Sequence, residues 1–262
     1  MTTLGKLGAT LGRTETGVVE TAVELEELGY GTLWLPGGQG SNLPLITEVV
    51  RGTTKIPVAS GILPVVRVPA ADVARAYADL PAGRFVAGLG GAHGPRPLAT
   101  LNSYLDELDD TVPASARILS ALGPKMLELA RDRAAGAYPY LVTTDYVASA
   151  REILGPDRQL AVLFNVVAET DPATAREAIR AGSLRFLSGV PGYANNLRRM
   201  GFTDADITGL SDRLVDGVTV WGGFDTVVAR LREYVEAGAD QVVVPVADLP
   251  REWWPRLVEA LA

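Results

Sequence analysis

Apolar positions along this chain recur in two rhythms that alternate from end to end. In "TETGVVETAVELEELGYG" (14–31), Val18, Ala22, Leu25 and Gly29 fall at helical spacing, while Glu20, Glu24 and Glu27 lie on the other faces. That spacing predicts an amphipathic helix, and Gly29 stands where such a helix stops. "TLWLP" (32–36) follows as a short, wholly apolar run, the pattern of a strand buried on both faces. The same phrase returns in "AGRFVAGL" (82–89), "AGAYPYLV" (135–142) and "AGADQVVVPV" (237–246).

Counting such runs predicts eight strands, at 6–11, 32–36, 56–60, 85–89, 116–120, 138–142, 159–168 and 241–246. Helical segments separate most of them, and helical crossovers imply parallel pairing. Eight units in 262 residues predict an α/β fold, a (β/α)8 TIM-like barrel forming a single domain over 1–262. An open Rossmann-like sheet is the alternative. Residues 184–216 break the rhythm and read as short helices, a helical insertion before the last strand that either shapes the substrate mouth or only packs.

Composition narrows the function. With 24 basic against 31 acidic residues the net charge is −7, which offers nucleic acid or an anionic membrane no electrostatic footprint. The chain has no cysteine, which excludes disulfides, thiolate catalysis and cysteine-based metal sites. No apolar run approaches the roughly 20 residues of a membrane span, and the first residues lack a signal-like apolar core. The expectation is a soluble, cytoplasmic protein acting on a small molecule, with no metal.

Two stretches could carry chemistry. "GLGGAH" (88–93) begins like a dinucleotide fingerprint, but His93 stands where a glycine is needed and no helix opens directly after it. Gly90 and Gly91 still follow a strand, at the end where barrel enzymes place their sites. His93, the only histidine, is a candidate acid or ligand donor, or a surface imidazole in a turn. In "SALGPKMLELARDRA" (120–134), Gly123 precedes Pro124 at a first helical position, with Met126, Ala130 and Arg133 continuing the helix. Unpaired N–H groups at such a start suit a phosphate, and Lys125 adds charge; the alternative is an ordinary helix start. GxSxG, HExxH and Walker patterns are missing, so the residues favour bound-cofactor chemistry over an amino-acid nucleophile.

Taken with "LEELGYGTLWLP", "GRFVAGLGGAHGP", "ALGPKMLELARDRAAGAYPYLVT", "NNLRRMGF" and "SDRLVDGVTVWG", the chain resembles the luciferase-like monooxygenase superfamily, in its branch of oxidoreductases that use the deazaflavin coenzyme F420. The resemblance implies a TIM-like barrel whose mouth holds the ring beside a non-prolyl cis peptide after the third strand. The matching place is "VASGILP", with the bond at Ser60–Gly61. It also implies a coenzyme phosphate at Ala121, Leu122, Gly123, Pro124, Lys125 and Met126. Tyr138, Leu141 and Val142 match positions flanking the cofactor, and Gly90, Gly91 and His93 match a second cofactor loop. Trp34 and Tyr193 fall on the substrate side, and a homodimer is the family's assembly. Trp253 and Trp254 either cap the barrel or meet a partner subunit.

One departure matters. Where relatives carry an acid or histidine after the second strand, this chain reads "LWLPGGQG", placing Gly37 and Gly38 there. A proton must then come from His93, Gln39, Tyr193 or water. The leading expectation is hydride transfer between F420 and a carbonyl, imine or activated alkene. The alternatives are an FMNH2-dependent monooxygenase, and a cofactor-free barrel that binds a metabolite or catalyses a cyclisation.

Overall fold

A computed structural model describes residues 4–12, 17–37, 40–92 and 94–262. Its central element is a closed ring of eight parallel strands: β1 (Leu7–Thr10), β2 (Thr32–Leu35), β3 (Val58–Ser60), β5 (Phe85–Gly90), β6 (Arg117–Leu119), β7 (Gly136–Ala137), β8 (Gln159–Leu163) and β11 (Gln241–Pro245). Pairing of Val58 with Phe85 and of Leu7 with Val242 closes the ring. A short β4 (Leu63–Pro64) resumes the third strand's path and pairs with the far end of β5. Two further short strands, β9 (Val166–Val167) and β10 (Val220–Trp221), pair with each other outside the ring.

Burial on both faces explains why the strands read as unbroken apolar runs. Leu33, Val58, Phe85 and Leu119 face the helices, whereas Trp34, Ala59, Val86, Ile118, Ala161 and Val243 fill the barrel interior. The first helix, Val18–Leu28, buries Val18, Ala22 and Leu25 as its periodicity predicts, and Gly29 ends it at φ 97°, a left-handed turn that glycine adopts without a Cβ penalty. Trp253 and Trp254 are both buried within the chain. The Trp254 indole donates to the Val246 carbonyl at 3.0 Å, so the pair docks the last helix, Trp253–Leu261, on the barrel.

The structure corrects three local expectations. Residues 138–142 are not a strand: the ladder stops at Ala137 apart from one bridge, Tyr140 to Leu163. Pro139 has no N–H to give, and Leu141 sits at φ 57°, which turns the chain out of the sheet. The long run 159–168 is two strands, separated at Phe164–Asn165. The cis peptide lies one bond later than expected, at Gly61–Ile62. The Ser60–Gly61 unit is still part of the sheet, because Ser60 pairs with Leu35 and the Gly61 N–H donates to the Leu35 carbonyl at 2.8 Å.

After β8 the chain leaves the barrel for helices at Pro172–Ala181, Ser183–Leu187, Pro191–Arg199, Asp204–Gly209 and Asp212–Val218. They share an apolar cluster of their own, including Ile179, Leu184, Leu197, Ile207 and Leu214. Local signals set their ends: Asp171, Thr203 and Ser211 each accept an N–H three residues on, and Thr203 with Asp206 forms a reciprocal capping box. The insertion is thus a small packed unit seated on the β7–β8 side of the mouth.

Candidate active site at the barrel mouth

The floor of the mouth is a stacked pair of rings. Tyr138, just past the end of β7, lies over Trp34 of β2 with centroids 3.9 Å apart and planes 3° from parallel. Trp34 has 0% exposure, and its Nε1 donates to Gln241 Oε1 at 2.9 Å. Gln241 Nε2 in turn donates to the carbonyls of Leu4 and Gly5 at the closed end of the barrel. Trp34, expected on the substrate side, is a fully buried pillar beneath the floor. Its inward position on a buried strand gives it to the core.

Tyr138 is 5% exposed, and a Cβ on Gly61 would point at its Cε1 and Oη, each 3.6 Å away. Burial pushes the phenol's pKa well above its ordinary value, and the nearby Tyr140 and Tyr193 push the same way, so it remains protonated at neutral pH. Its hydroxyl makes no hydrogen bond among the described residues. Tyr193, on the insertion helix, meets Tyr140 edge-on at 6.5 Å, and the Tyr140 hydroxyl shares a hydrogen bond of 2.8 Å with Ser183 Oγ. Tyr140 escaped the sequence reading because the expected strand hid which side of the chain it faces. Beyond it an open cleft of about 460 Å³ runs between Asn165 and Asp248.

On the wall formed by β3 and β5 the glycines are dictated by contact. A Cβ on Gly90 would fall 2.4 Å from Ile62 Cδ1 and 2.7 Å from Ser120 Cβ. Gly91 follows at φ 66°. A Cβ on Gly37 would lie 1.7 Å from the Ile62 carbonyl oxygen, so this backbone admits no side chain where an acid or histidine was expected. Gly38, Gln39 and His93 lie outside the described residues. Ser60 is fully buried, and its hydroxyl accepts from Gly88 N at 2.7 Å and donates to Gly88 O at 2.9 Å. That hydroxyl, expected at the cofactor, is spent on joining β3 to β5, and the adjoining Gly61 is less buried.

The β6 side carries the anion-ready feature. After Ser120, Ala121 and Leu122, Gly123 caps the helix Pro124–Arg133 with no side-chain hydrogen bond, and the first turn holds no acid. Met126 and Leu127 N–H groups bond back to the Gly123 carbonyl at 3.0 Å, leaving the Lys125 amide among the unpaired donors of the helix start. Pro124 and Lys125 are exposed, and Met126 is half-buried against the core. The loop is pinned by the Tyr146 hydroxyl, which donates to the Ala121 carbonyl at 3.1 Å. The atoms nearest the missing side chain of Gly123 are Arg199 Nη1 and Nη2, at 3.4 and 3.5 Å. Leu141 and Val142, expected on the cofactor's flank, are 1% and 2% exposed and packed in the insertion and barrel clusters respectively. The left-handed turn at Leu141 swings that side chain away from the mouth.

β6 and β7 are neighbours in the ring, so the aromatic floor and the uncapped helix start belong to adjacent walls of one mouth. A flat ring face beside a cluster of unpaired donors fits a ligand that joins a planar heterocycle to an anionic group.

No protein-family model and no curated protein matches the chain. Solved structures do. The coenzyme F420 dependent tetrahydromethanopterin reductase from Methanopyrus kandleri superposes with a TM-score of 0.72 at 18% identity, over 98% of this chain and 97% of that one. An F420-dependent secondary alcohol dehydrogenase, solved with an F420–acetone adduct, gives 0.72 at 12% identity over 98% of both chains. The oxygenating constituent of 3,6-diketocamphane monooxygenase from Pseudomonas putida, in complex with FMN, gives 0.67 at 13% over 97% and 96%. The chain therefore shares the barrel fold of these structures.

Proposed function

We propose that this barrel is an oxidoreductase that holds coenzyme F420 at its mouth and exchanges a hydride between it and a small carbonyl, imine or activated alkene. The observation that carries the reading is the adjacency of the Tyr138–Trp34 floor to the uncapped helix start at Gly123. When bound, the deazaflavin supplies the hydride. The chain's own part is positioning and proton management. The helix start and Lys125 hold the anionic arm, and Gly61 and Tyr138 support the ring. With position 37 closed to a side chain, we assign the proton to Tyr138 Oη, which burial keeps protonated, for delivery to a substrate oxygen or nitrogen.

Two fluorescence titrations of the purified protein, with F420 and with FMN, test this. Saturable F420 binding at low micromolar concentration, a binding free energy on the order of −8 kcal/mol, with FMN weaker, is the expected result. Preference for FMN favours an oxygenase fed by a separate reductase. Binding of neither coenzyme defeats the proposal and leaves a barrel that takes some other metabolite.

A further inference from the structure

We infer that Arg199 and Asn196, from the stretch "NNLRRMGF" of the insertion, complete the anion pocket at Gly123 and grip the phosphate ester of the ligand. The inference rests on the proposed reading for the ring, but its residues stand on observations of their own. Both guanidinium nitrogens of Arg199, at 3.4 and 3.5 Å from the Gly123 Cβ position, face the loop as a fork. A fork is the geometry that binds phosphate bidentately. Among the described residues Arg199 has no carboxylate partner, and its hydrogen bond, to Asn196 Oδ1, is a long 3.5 Å. Its neighbour Arg198 differs, bonding Asp204 at 2.7 Å and Asn195 at 3.1 Å.

The placement is unfavourable without an anion. The start of a helix carries partial positive charge, this one adds Lys125, and its first turn holds no acid. Arg199 brings a further cation to the same point. Its charge also reaches Tyr146, where it opposes the upward push of burial on the phenol that pins this loop. Asn196 supplies the second sign. It is 2% exposed, yet among the described residues its Nδ2 has no hydrogen-bond partner. Buried donors are ordinarily satisfied, and one left open beside a guanidinium that has no carboxylate partner among the described residues calls for an acceptor. Amide donor, guanidinium fork and helix N–H groups together ask for an oxyanion with several acceptor oxygens. The insertion thereby becomes part of the ligand site rather than a packed ornament.

The test compares wild-type protein with Arg199→Met and Arg199→Lys by calorimetric titration. The probes are F420, the same deazaflavin riboside without its phosphate, and inorganic pyrophosphate. Arg199 is exposed, so neither variant empties the core, and circular dichroism checks folding. The expected result is that Arg199→Met weakens F420 by about tenfold or more, the scale of a lost charge-assisted bidentate contact, while the riboside changes less than about twofold. Arg199→Lys recovers part of the loss. Equal weakening of F420 and riboside, or no weakening of either, overturns the inference while the proposed function stands. If the wild type binds neither deazaflavin, the proposed function fails. The anion pocket then stands only on pyrophosphate binding that Arg199→Met removes, and absence of such binding overturns it too.

Discussion

Cutting the hydrogen bond beneath the aromatic floor should reveal how much of the mouth is held from below. Trp34→Phe keeps a ring under Tyr138 but removes Nε1–H, leaving Gln241 Oε1 buried with its donor gone. An orphaned buried acceptor costs about 1–3 kcal/mol, and trimming the indole leaves a small void at about 24 cal/mol per Å³. The single substitution should therefore cost about 2–4 kcal/mol. Gln241→Met removes the same bond from the other side and also frees the Leu4 and Gly5 carbonyls, for a similar cost. In the double variant the shared bond is lost once, and the two mutual orphans vanish together. Its cost should fall short of the sum by about 1–2 kcal/mol, within the range of directly bonded pairs. Guanidinium unfolding of the four proteins, read as midpoint shifts at constant slope, measures this coupling. Additivity within about 0.5 kcal/mol would refute the reasoning, since it would mean that indole and amide are not joined. Ligand titration of Trp34→Phe is the second limb. A pillar's loss should weaken binding far less than Tyr138→Leu, which removes the floor itself.

Two further outcomes follow from charge. Glu26 accepts the backbone N–H groups of Thr54, Lys55 and Ile56 at 2.8, 2.6 and 2.7 Å; burial pushes its pKa up, but these donors and Arg84 outweigh burial and hold it below the ordinary value. A depressed folded-state pKa stabilises above the ordinary carboxylate value and ceases to do so as pH falls through the folded one. Glu26→Gln should thus lose about 1–3 kcal/mol at neutral pH, and the gap should close below about pH 4; a gap that stays constant to pH 3 in parallel denaturation curves would contradict the assignment. At the other extreme, burial raises the phenols of Tyr30, Tyr104, Tyr138, Tyr140, Tyr146 and Tyr193, and lifts Tyr234 to about 12. Raised values contribute stability below the ordinary phenol pKa and lose it as pH climbs. Tyrosinate absorbance at 295 nm should therefore lag well behind that of unfolded chain at about pH 10.5 and then rise together with loss of helical circular dichroism; gradual, independent ionisation would argue against it.

The barrel was legible because its physics is local. A strand covered on both faces must be apolar throughout, and a helix laid on it must show a stripe, so Leu33–Leu35 and Val18–Leu28 announce themselves. The same property hides function. Trp34 and Leu33 are equally apolar, and only the closed ring decides that one faces the interior and carries the floor. At 138–142 the composition looks like a strand, but Pro139 and the left-handed Leu141 end the ladder, and those two residues redirect Tyr140, Leu141 and Val142 to different neighbours. The helix start at Gly123 was visible from Gly-Pro alone. Arg199 was not, because its lack of a carboxylate partner among the described residues is a tertiary fact that the repeated arginines of "NNLRRMGF" do not display.

The glycine at 37 ties these strands of argument to chemistry. Its place against the Ile62 carbonyl is a packing constraint, and restoring an acid there would require moving the backbone that shapes the ring's support. Under the proposed reading, reduction of a carbonyl, imine or alkene needs its proton from another group. The wall opposite β3 offers Tyr138, kept protonated by burial, with Tyr193 and Tyr140 behind it and Ser183 at the solvent edge. Tyr140 and Ser183 share a hydrogen bond, but the Tyr138 hydroxyl is joined to neither among the described residues, so its proton exchanges with bound ligand or water. Tyr138→Phe separates the two roles of this residue. It preserves the stack on Trp34 and removes only a hydroxyl that has no protein partner among the described residues, so stability and coenzyme affinity should hold while turnover falls by about 10²-fold or more, the usual share of a positioned acid. Turnover that survives intact would move the proton's source to solvent and leave Tyr138 a floor alone.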